Sequence, residues 1–222
     1  MEKDIIKIII VDDHPVVRGG IVKFLEKEKD FQIRGEAESA NDAIKLIGEV
    51  MPDVAIIDIA LKGEPDGIEL IKAVRSRFPD VRTLCLSVFE ESVYAERAIR
   101  AGAKGYIQKN AEPENVIKAI RRIMEGKLYL SGDISDTIIS KLMHGKSEST
   151  GAQVDVLTDR EFEVFILIGN GYGTKEISKR MNLSPHTVES HRKNIREKMN
   201  IKDSAELNRI SVQWVLTHNK KI

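Results

Sequence analysis

Five polar side chains follow or close apolar runs of the sequence, and their types suit phosphoryl transfer. They are Asp12, Asp13, Asp58, Ser87 and Lys109. Carboxylates that are brought together repel one another and therefore favour a hard, oxygen-preferring cation such as Mg²⁺. One carboxylate can attack phosphorus and become an acyl phosphate. A lysine charge and a hydroxyl donor are suited to hold the oxygens of the new phosphate.

The segments that must position these side chains alternate between strand and helix patterns. Runs rich in β-branched residues predict strands at 5–11, 32–37, 54–58, 81–86 and 105–108. Apolar residues at helical spacing predict helices at 16–28, 40–50, 68–78, 92–101 and 114–125. This alternation predicts a parallel sheet with helices on both faces. We therefore predict an α/β fold, a flavodoxin-like, doubly wound sheet of five parallel strands.

The polar residues are expected to converge, because ligands of an open parallel sheet bind at the carboxyl ends of its strands. Taken singly, an Asp at a strand end is more often a turn residue, and a lone Lys is usually solvated. All of these residues stand at predicted strand ends, however. That coincidence favours one common site over a set of unrelated turn residues.

The alternating pattern weakens after residue 131 and gives way to a small, polar stretch at 145–151. That composition is typical of a flexible linker, and a short helix is expected before it, at 136–144. We predict a first domain at 1–128, a linker at 129–154 and a second domain at 155–222.

The second domain carries helix signals only. Thr158 and Glu161 have the spacing of a capping box at the start of a helix. The glycine cluster at 169–173 follows a helix rather than a strand, so it predicts a helix end and a turn rather than a phosphate-binding loop.

Three more helices are predicted after that turn, which makes the second domain an all-α domain of four helices. The next helix spans 175–181. Ser184 is expected to cap a third helix with Pro185 at its first position, and this helix runs to about residue 199. Asp203 marks the start of the fourth helix.

The third helix of this domain divides into two faces. Val188, Ile195 and Met199 share one side and are expected to pack on the preceding helix. The opposite side and its flanks carry His186, Glu189, Ser190, Lys193 and Asn194, with Arg192 and Arg196 beside them. A short helix, a tight turn and a polar-faced helix are the parts of a helix-turn-helix. The alternative is an amphipathic surface helix with solvated charges. His186 and His191 do not have the spacing of a metal pair.

Composition excludes several classes of protein. The aromatic content of 5% argues against broad base stacking on single strands, and a lone cysteine, Cys85, excludes a disulfide framework. Residues 155–222 hold 12 Lys and Arg against 9 Asp and Glu, a net charge of about +3 that makes this part the better candidate for binding an anion. The sequence has no signal-peptide pattern and no apolar stretch of the ~20 residues that a membrane span needs. We expect a soluble, cytoplasmic protein with no membrane partner.

Residues 1 to about 128 resemble a bacterial response-regulator receiver domain, through the Asp12-Asp13 pair, the apolar run before Asp58, Ser87 and the segment 101–109. The resemblance implies that Asp58 accepts a phosphoryl group from a sensor histidine kinase. It also implies a set of Mg²⁺ ligands, which are Asp13, Asp58 and the backbone carbonyl of Ala60, with Asp12 assisting.

The same resemblance assigns the residues around the phosphate. It implies that Ser87 and Lys109 contact the phosphate, and that Tyr106 is the aromatic residue that changes rotamer when Ser87 moves. The alternative for Tyr106 is a half-buried aromatic residue at the sheet edge. Lys62 departs from the receiver pattern, because proline is common at that position.

Residues from about 155 to 214 are similar to the LuxR-type helix-turn-helix of the NarL/FixJ regulators, through segments 157–161, 174–178 and 183–191. The resemblance implies base-reading positions at Glu189, Ser190 and Lys193. The further candidates for contact with DNA are Lys175, Ser184, His186, Thr187, His191, Arg192 and Arg196. Glu189 stands where a basic residue is common; a carboxylate can accept a hydrogen bond from cytosine N4 but repels phosphate.

Together these features predict a response regulator that binds double-stranded promoter DNA and is controlled by phosphorylation. We expect a homodimer when it is phosphorylated, a recognition helix covered by the receiver when it is not, and RNA polymerase as a candidate partner. We expect no enzyme activity. A haloacid-dehalogenase-like phosphatase is one alternative, but it needs a second Asp where Ala60 stands. A receiver that works without phosphate, and a protein-binding helical domain with no role on DNA, are the others.

Overall fold

The computed structural model describes residues 5–61, 65–88, 91–131 and 154–218. The chain divides into two compact units, Met1–Ile139 and Ser140–Ile222, and each is described by itself. Within the described ranges, no helix is both long and apolar enough to cross a membrane.

The first unit alternates strands and helices along the chain. Its strands are β1 (Ile6–Val11), β2 (Phe31–Ala37), β3 (Val54–Asp58), β4 (Arg82–Ser87) and β5 (Gly105–Gln108). Its helices are α1 (Pro15–Leu25), α2 (Ala40–Val50), α3 (Gly67–Arg77), α4 (Glu91–Ala101) and α5 (Pro113–Met124). The predicted order of elements is confirmed. Ser87 is the last residue of β4 rather than the first residue after it.

The sheet is parallel throughout, in the order β2-β1-β3-β4-β5. This is the doubly wound, flavodoxin-like order, and strand order reverses between β1 and β3. In the register of β3 with β4, Asp58 pairs with Leu86, so Ser87 lies one residue beyond Asp58 along the neighbouring strand. The carboxyl ends of β1, β3 and β4 are therefore adjacent at the point of reversal.

Apolar residues cover both faces of the sheet, because the strands are buried on both sides. Every residue of β3 is buried, and so are the last four of β1. On one face, Ile8, Ile10 and Ile56 pack with Ala119 and Ile120 of α5. This burial fixes the sheet as a rigid base, and the polar side chains extend from its carboxyl edge.

The chain after α5 returns to the edge of the sheet. Tyr129 pairs with Gly105 beside β5, with Tyr106 N donating to Tyr129 O at 3.0 Å and Tyr129 N donating to Lys104 O at 3.0 Å. The first residues of the predicted linker, 129–154, thus contact the first unit. Residues 132–153 of the predicted linker, including the short helix predicted at 136–144, lie outside the described residues, as do Lys62 and its two following neighbours.

The second unit is helical in the part that the structure describes. After a short 3-10 helix, Val154–Val156, it contains α6 (Asp159–Gly169), α7 (Thr174–Met181), α8 (Pro185–Lys198) and α9 (Ser204–His218). The capping box at the start of α6 is confirmed: Thr158 accepts from Glu161 N and Glu161 accepts from Thr158 N. Phe162, Phe165 and Trp214 form an aromatic core between α6 and α9.

Candidate functional site

Asp12 and Asp58 lie side by side at the carboxyl edge of the sheet, and each is only 1% exposed. One ligand atom from each of Asp12, Asp13, His14 and Asp58 can be chosen so that all lie within 4.8 Å of one another. The local backbone helps to hold the carboxylates, because Asp12 Oδ1 accepts from His14 N at 2.8 Å and Asp58 Oδ1 accepts from Ala60 N at 3.1 Å. The structure thus brings together the predicted carboxylates of β1 and β3.

Lys109 reaches this cluster from the end of β5. Its Nζ lies 2.7 Å from Asp58 Oδ2 and 2.7 Å from Asp12 Oδ2, and its side chain is 11% exposed. Its backbone N donates to Ser87 O at 2.6 Å, which ties the end of β5 to the end of β4. The ammonium group therefore neutralises part of the negative charge of the two carboxylates.

Burial and charge act in opposite directions on these groups. Burial raises the pKa of the Asp58 carboxyl, and the nearby Lys109 offsets only part of that rise. Burial alone would lower the pKa of Lys109, but the carboxylates of Asp58 and Asp12 outweigh burial and raise it. Lys109 is therefore protonated at neutral pH and acts as a fixed cation beside Asp58.

Ser87 and Tyr106 lie behind the acidic edge. Both are 0% exposed, and a side-chain hydrogen bond joins them. Burial raises the pKa of the Tyr106 hydroxyl well above its usual value, so the hydroxyl stays neutral. Tyr106 is therefore a fully buried residue, and the alternative of a half-buried aromatic residue at the sheet edge was wrong.

The donor set fits a hard divalent cation. Asp12, Asp13 and Asp58 offer carboxylate oxygens, which are the ligands that Mg²⁺ prefers, and they are grouped closely enough to share one ion. His14 Nδ1 lies 3.0 Å from Asp13 Oδ1 and 3.3 Å from Asp12 Oδ1, but a ring nitrogen is a poor ligand for Mg²⁺. The role of the Ala60 carbonyl as a ligand stays a prediction.

Arg18 of α1 also contacts this site, although it belongs to none of the motifs that predict the site. Its Nη1 donates to the Asp12 backbone carbonyl oxygen at 2.6 Å. A signal was present in the sequence: Arg18 lies on the same helical stripe as Ile21, Val22 and Leu25, which pack against the core. A cation at such a position is buried and needs partners.

In the second unit, α7, a tight turn and α8 form the predicted helix-turn-helix. Asn182 turns the chain in the left-handed conformation, with φ of 52°, which Asn tolerates better than most residues. Ser184 then caps α8 by accepting from Thr187 N at 3.0 Å. Val188 and Ile195 are buried, as is Met199 just beyond the helix, so the predicted packing face is confirmed.

The opposite face of α8 is exposed and polar. His186, Glu189, Ser190 and Lys193 are exposed, and so is Lys175 near the start of α7. Thr187, His191, Arg192 and Arg196 are partly buried at its flanks. Most of the predicted base-reading and phosphate-contacting residues thus lie on one accessible side of the helix-turn-helix or on its edges.

Several of these side chains already have partners within the unit. Thr174 Oγ1 donates to Glu189 Oε1 at 2.5 Å, so the first residue of α7 holds the carboxylate on α8. Arg192 Nη2 donates to Asn208 Oδ1 at 3.1 Å, and its side chain is only 11% exposed. The hydroxyl of Ser184 is likewise engaged in the helix cap.

Comparison with known proteins identifies the family. A model of the response regulator receiver domain matches residues 8–121, and a model of the bacterial regulatory proteins of the luxR family matches residues 155–211. The chain is a LuxR-family response regulator. Its oxygen-regulatory relative NreC from Staphylococcus aureus is 32% identical over 204 residues, which cover 90% of this chain and 94% of the relative.

Solved structures agree with this LuxR-family response regulator in fold. A two-component response regulator of the LuxR family from Aurantimonas sp. SI85-9A1 is 32% identical, with a TM-score of 0.58, and the match covers 64% of this chain and 100% of that one. RcsB from Salmonella enterica serovar Typhimurium, bound to promoter rprA in the presence of the phosphomimetic BeF3−, is 25% identical with a TM-score of 0.60. That match covers 94% of this chain and 99% of RcsB. The predicted fold class and family are confirmed.

Proposed function

We propose that Asp58 of this response regulator accepts a phosphoryl group from a sensor histidine kinase, and that the modified protein regulates transcription from promoter DNA. The observation that carries the proposal is the pair of 2.7 Å contacts from Lys109 Nζ to Asp58 and Asp12. They bring a nucleophilic oxygen, a fixed cation and a second carboxylate together at the reversal point of the sheet.

The chemistry at Asp58 is a transfer between two covalent carriers. A carboxylate oxygen of Asp58 forms a bond to phosphorus while the bond from phosphorus to the kinase histidine nitrogen breaks. The product is an acyl phosphate. Lys109 is already within hydrogen-bonding distance of Asp58 and is positioned to pair with the added negative charge.

Mg²⁺ would be held by Asp12, Asp13 and Asp58, with the Ala60 carbonyl as a further ligand. When bound, it would offset the negative charge of the carboxylates and of the incoming phosphoryl group. Ser87 is the candidate for a hydroxyl contact with the phosphate. The hydrogen bond between Ser87 and Tyr106 offers a route by which a movement of Ser87 toward the phosphate would be transmitted to the interior of the unit.

DNA binding is assigned to the exposed side of α8. Ser190 and Lys193 are exposed there and, with Glu189, are the proposed base readers, while Lys175 is the exposed phosphate-contacting candidate on α7. His186, Thr187, His191 and Arg196 complete the proposed contact surface. Glu189, Arg192 and Ser184 would contact DNA only in addition to their present hydrogen bonds.

The proposal has three further parts. The protein forms a homodimer when it is phosphorylated, it acts in the cytoplasm, and it contacts RNA polymerase. A dimer would read two half-sites about one helical turn apart, and this matches the way that helix-turn-helix proteins bind DNA. We propose no catalytic turnover, because the position two residues after Asp58 is Ala60 and supplies no second acid.

The test of the phosphorylation site is an Asp58→Asn variant incubated with Mg²⁺ and a radiolabelled small-molecule phosphodonor. We expect wild-type protein to take up label and the variant to take up none, because an amide is not a nucleophile for phosphorus. Asp53→Asn is a matched control at the opposite end of β3, where Asp53 Oδ2 accepts from Lys7 N at 2.7 Å. Label that persists on Asp58→Asn would exclude the assignment, and steady release of phosphate from small esters would favour a phosphatase instead.

A further inference from the structure

Arg18 is a buried cation whose contacts reach two strands. It lies in α1 and its side chain is 10% exposed. Each of the three guanidinium nitrogens has an acceptor: Nε contacts Glu36 Oε2 at 2.7 Å, Nη2 contacts Glu38 Oε1 at 2.8 Å, and Nη1 donates to Asp12 O at 2.6 Å. One side chain therefore joins the end of β2 to the end of β1.

The acceptor directly after β1 is the backbone carbonyl of Asp12, an acidic residue of the candidate site. Asp12 N donates to Ala37 O at 3.1 Å, so both sides of this residue's backbone are fixed. Its carboxylate is held by His14 N and lies beside Lys109. Because the backbone of Asp12 sets where its side chain points, the hydrogen bond from Arg18 constrains the carboxylate that faces Asp58.

The geometry requires arginine rather than any cation. A guanidinium presents its donors in a rigid, planar fork, and such a fork can contact several acceptors at once. A lysine ammonium is a single point at the end of a flexible stem. It could pair with Glu36 or Glu38 but would not also reach the Asp12 carbonyl in the same arrangement.

We propose that Arg18 is a positioning residue for the acidic site, holding the turn after β1 so that Asp12 and Asp13 are arranged for Mg²⁺ before phosphoryl transfer. The proposal rests on the proposed function. It gives Arg18 no contact with the phosphate and no part in the chemistry. The guanidinium acts through the Asp12 backbone, and the carboxylates of Glu36 and Glu38 hold the guanidinium in place.

The experiment compares Arg18→Met with a matched control, Arg121→Met, in the full-length protein. Arg121 of α5 also pairs with two carboxylates across elements, Glu28 at 2.6 Å and Asp30 at 3.1 Å, but neither belongs to the acidic site. Mg²⁺ affinity is measured by isothermal titration calorimetry, and folding by circular dichroism and Tm. Arg18→Lys is the conservative variant.

We expect Arg18→Met to weaken Mg²⁺ binding by about tenfold to a hundredfold, as loss of a group that orients metal ligands does. Arg121→Met should keep the affinity within about twofold even if its Tm falls, because distant sites act independently. Arg18→Lys should fall between them. The phosphorylation rate at low Mg²⁺ should follow the same order and recover for Arg18→Met at saturating Mg²⁺.

Three results would overturn the proposal. The first is wild-type Mg²⁺ affinity in folded Arg18→Met, and the second is an equal loss of Mg²⁺ affinity in Arg121→Met. The third is wild-type Mg²⁺ affinity in Arg18→Lys, because it would show that the planar guanidinium is not required. If Arg18→Met does not fold, Arg18→Lys carries the test, and wild-type Mg²⁺ affinity in that variant would overturn the proposal. A wild-type protein that binds no Mg²⁺ would refute the proposed metal site itself and the positioning role with it.

Discussion

Asp58 and Asp12 are two buried carboxylates that share one ammonium group. Burial of ionised groups is costly unless they are paired, and Lys109 is the cation that contacts both. The same lysine is the proposed partner of the phosphate. In the unphosphorylated protein, the role of Lys109 is therefore to stabilise the two buried carboxylates. This role can be separated from its proposed role after phosphorylation.

Replacing Lys109 with Met should destabilise the first unit by about 3 kcal/mol in the absence of divalent cations, because two buried carboxylates lose their cation. Mg²⁺ should restore much of that stability, since the ion would supply the missing positive charge. The measurement is thermal unfolding followed by circular dichroism, with EDTA and with Mg²⁺. Lys104→Met is the control, because Lys104 is exposed and should have little effect. Equal destabilisation with and without Mg²⁺ would contradict the expectation.

Glu161 is the corresponding buried acid in the second unit. Burial alone would raise the pKa of Glu161, but hydrogen bonds from Lys198 and Thr158 outweigh it and lower that pKa. A lowered folded-state pKa contributes stability that is present above the unfolded pKa, about 4.3, and is lost as pH falls through the folded pKa.

Glu161→Gln should therefore cost about 1–3 kcal/mol at pH ~7, and the difference from wild type should shrink as the pH is lowered below ~4. Fluorescence of Trp214 reports this unit alone, because it is the only tryptophan of the chain. Denaturant unfolding at several pH values gives the free energies. A difference that stays constant down to the lowest pH at which wild type folds would show that the charge of Glu161 does not contribute.

At the scale of elements, the start of α3 is fixed by its proximity to the site. A Cβ atom on Gly67 would lie 2.0 Å from Asp58 O and 2.6 Å from Ile59 Cα. Gly67 N also donates to Ile59 O at 3.2 Å, and Asp66 caps the helix by accepting from Glu69 N at 3.0 Å. The helix therefore begins directly against the backbone of the proposed phosphoacceptor.

Gly67→Ala should destabilise the first unit by about 3 kcal/mol and abolish phosphoryl uptake, because the backbone at Asp58 has to move. Gly20→Ala in α1 is the matched control: nothing lies within 4 Å of its Cβ position. That change should stabilise α1 by up to about 1 kcal/mol. Urea unfolding is followed by circular dichroism, with Trp214 fluorescence showing that the second unit is unchanged. A stable Gly67→Ala protein with normal uptake would contradict the close approach.

The order and type of the elements could be predicted, because runs such as that of β1 are β-branched and buried on both sides. The helix boundaries are less well determined by the sequence. The sequence predicts a helix to residue 28, because the charged residues at 26–28 carry no helix-ending signal. In the structure, α1 ends at Leu25. The convergence of Asp12, Asp58 and Lys109 was also predictable, because strand ends of a parallel sheet meet at one edge.

Contacts between elements could not be predicted in the same way. The hydrogen bond from Thr174 to Glu189 and that from Arg192 to Asn208 depend on how α7, α8 and α9 cross, and no spacing in the sequence encodes those crossings. The role of Arg18 depends on the register that brings β2 beside β1. These contacts are set by how the helices and strands pack against one another. The local sequence pattern gives only the type of residue at each position.

At the scale of the whole molecule, the proposed site of phosphorylation and the proposed DNA-binding surface lie in separate units of one chain. The boundaries that we predicted, with a linker at 129–154, remain a proposal. Linkage between the units has to be thermodynamic: phosphorylation changes DNA affinity only if the modified and unmodified states differ in the free energy of binding.

The most direct measurement is a DNA-binding titration of wild type and Asp58→Asn, with and without Mg²⁺ and a small-molecule phosphodonor, at two salt concentrations. The duplex is one enriched by the wild-type protein from a random-sequence pool. We expect the donor to tighten binding by the wild type alone, and salt to weaken it steeply, as contacts to phosphates require. Equal affinity with and without the donor in both proteins would contradict phosphorylation control, even if α8 binds DNA.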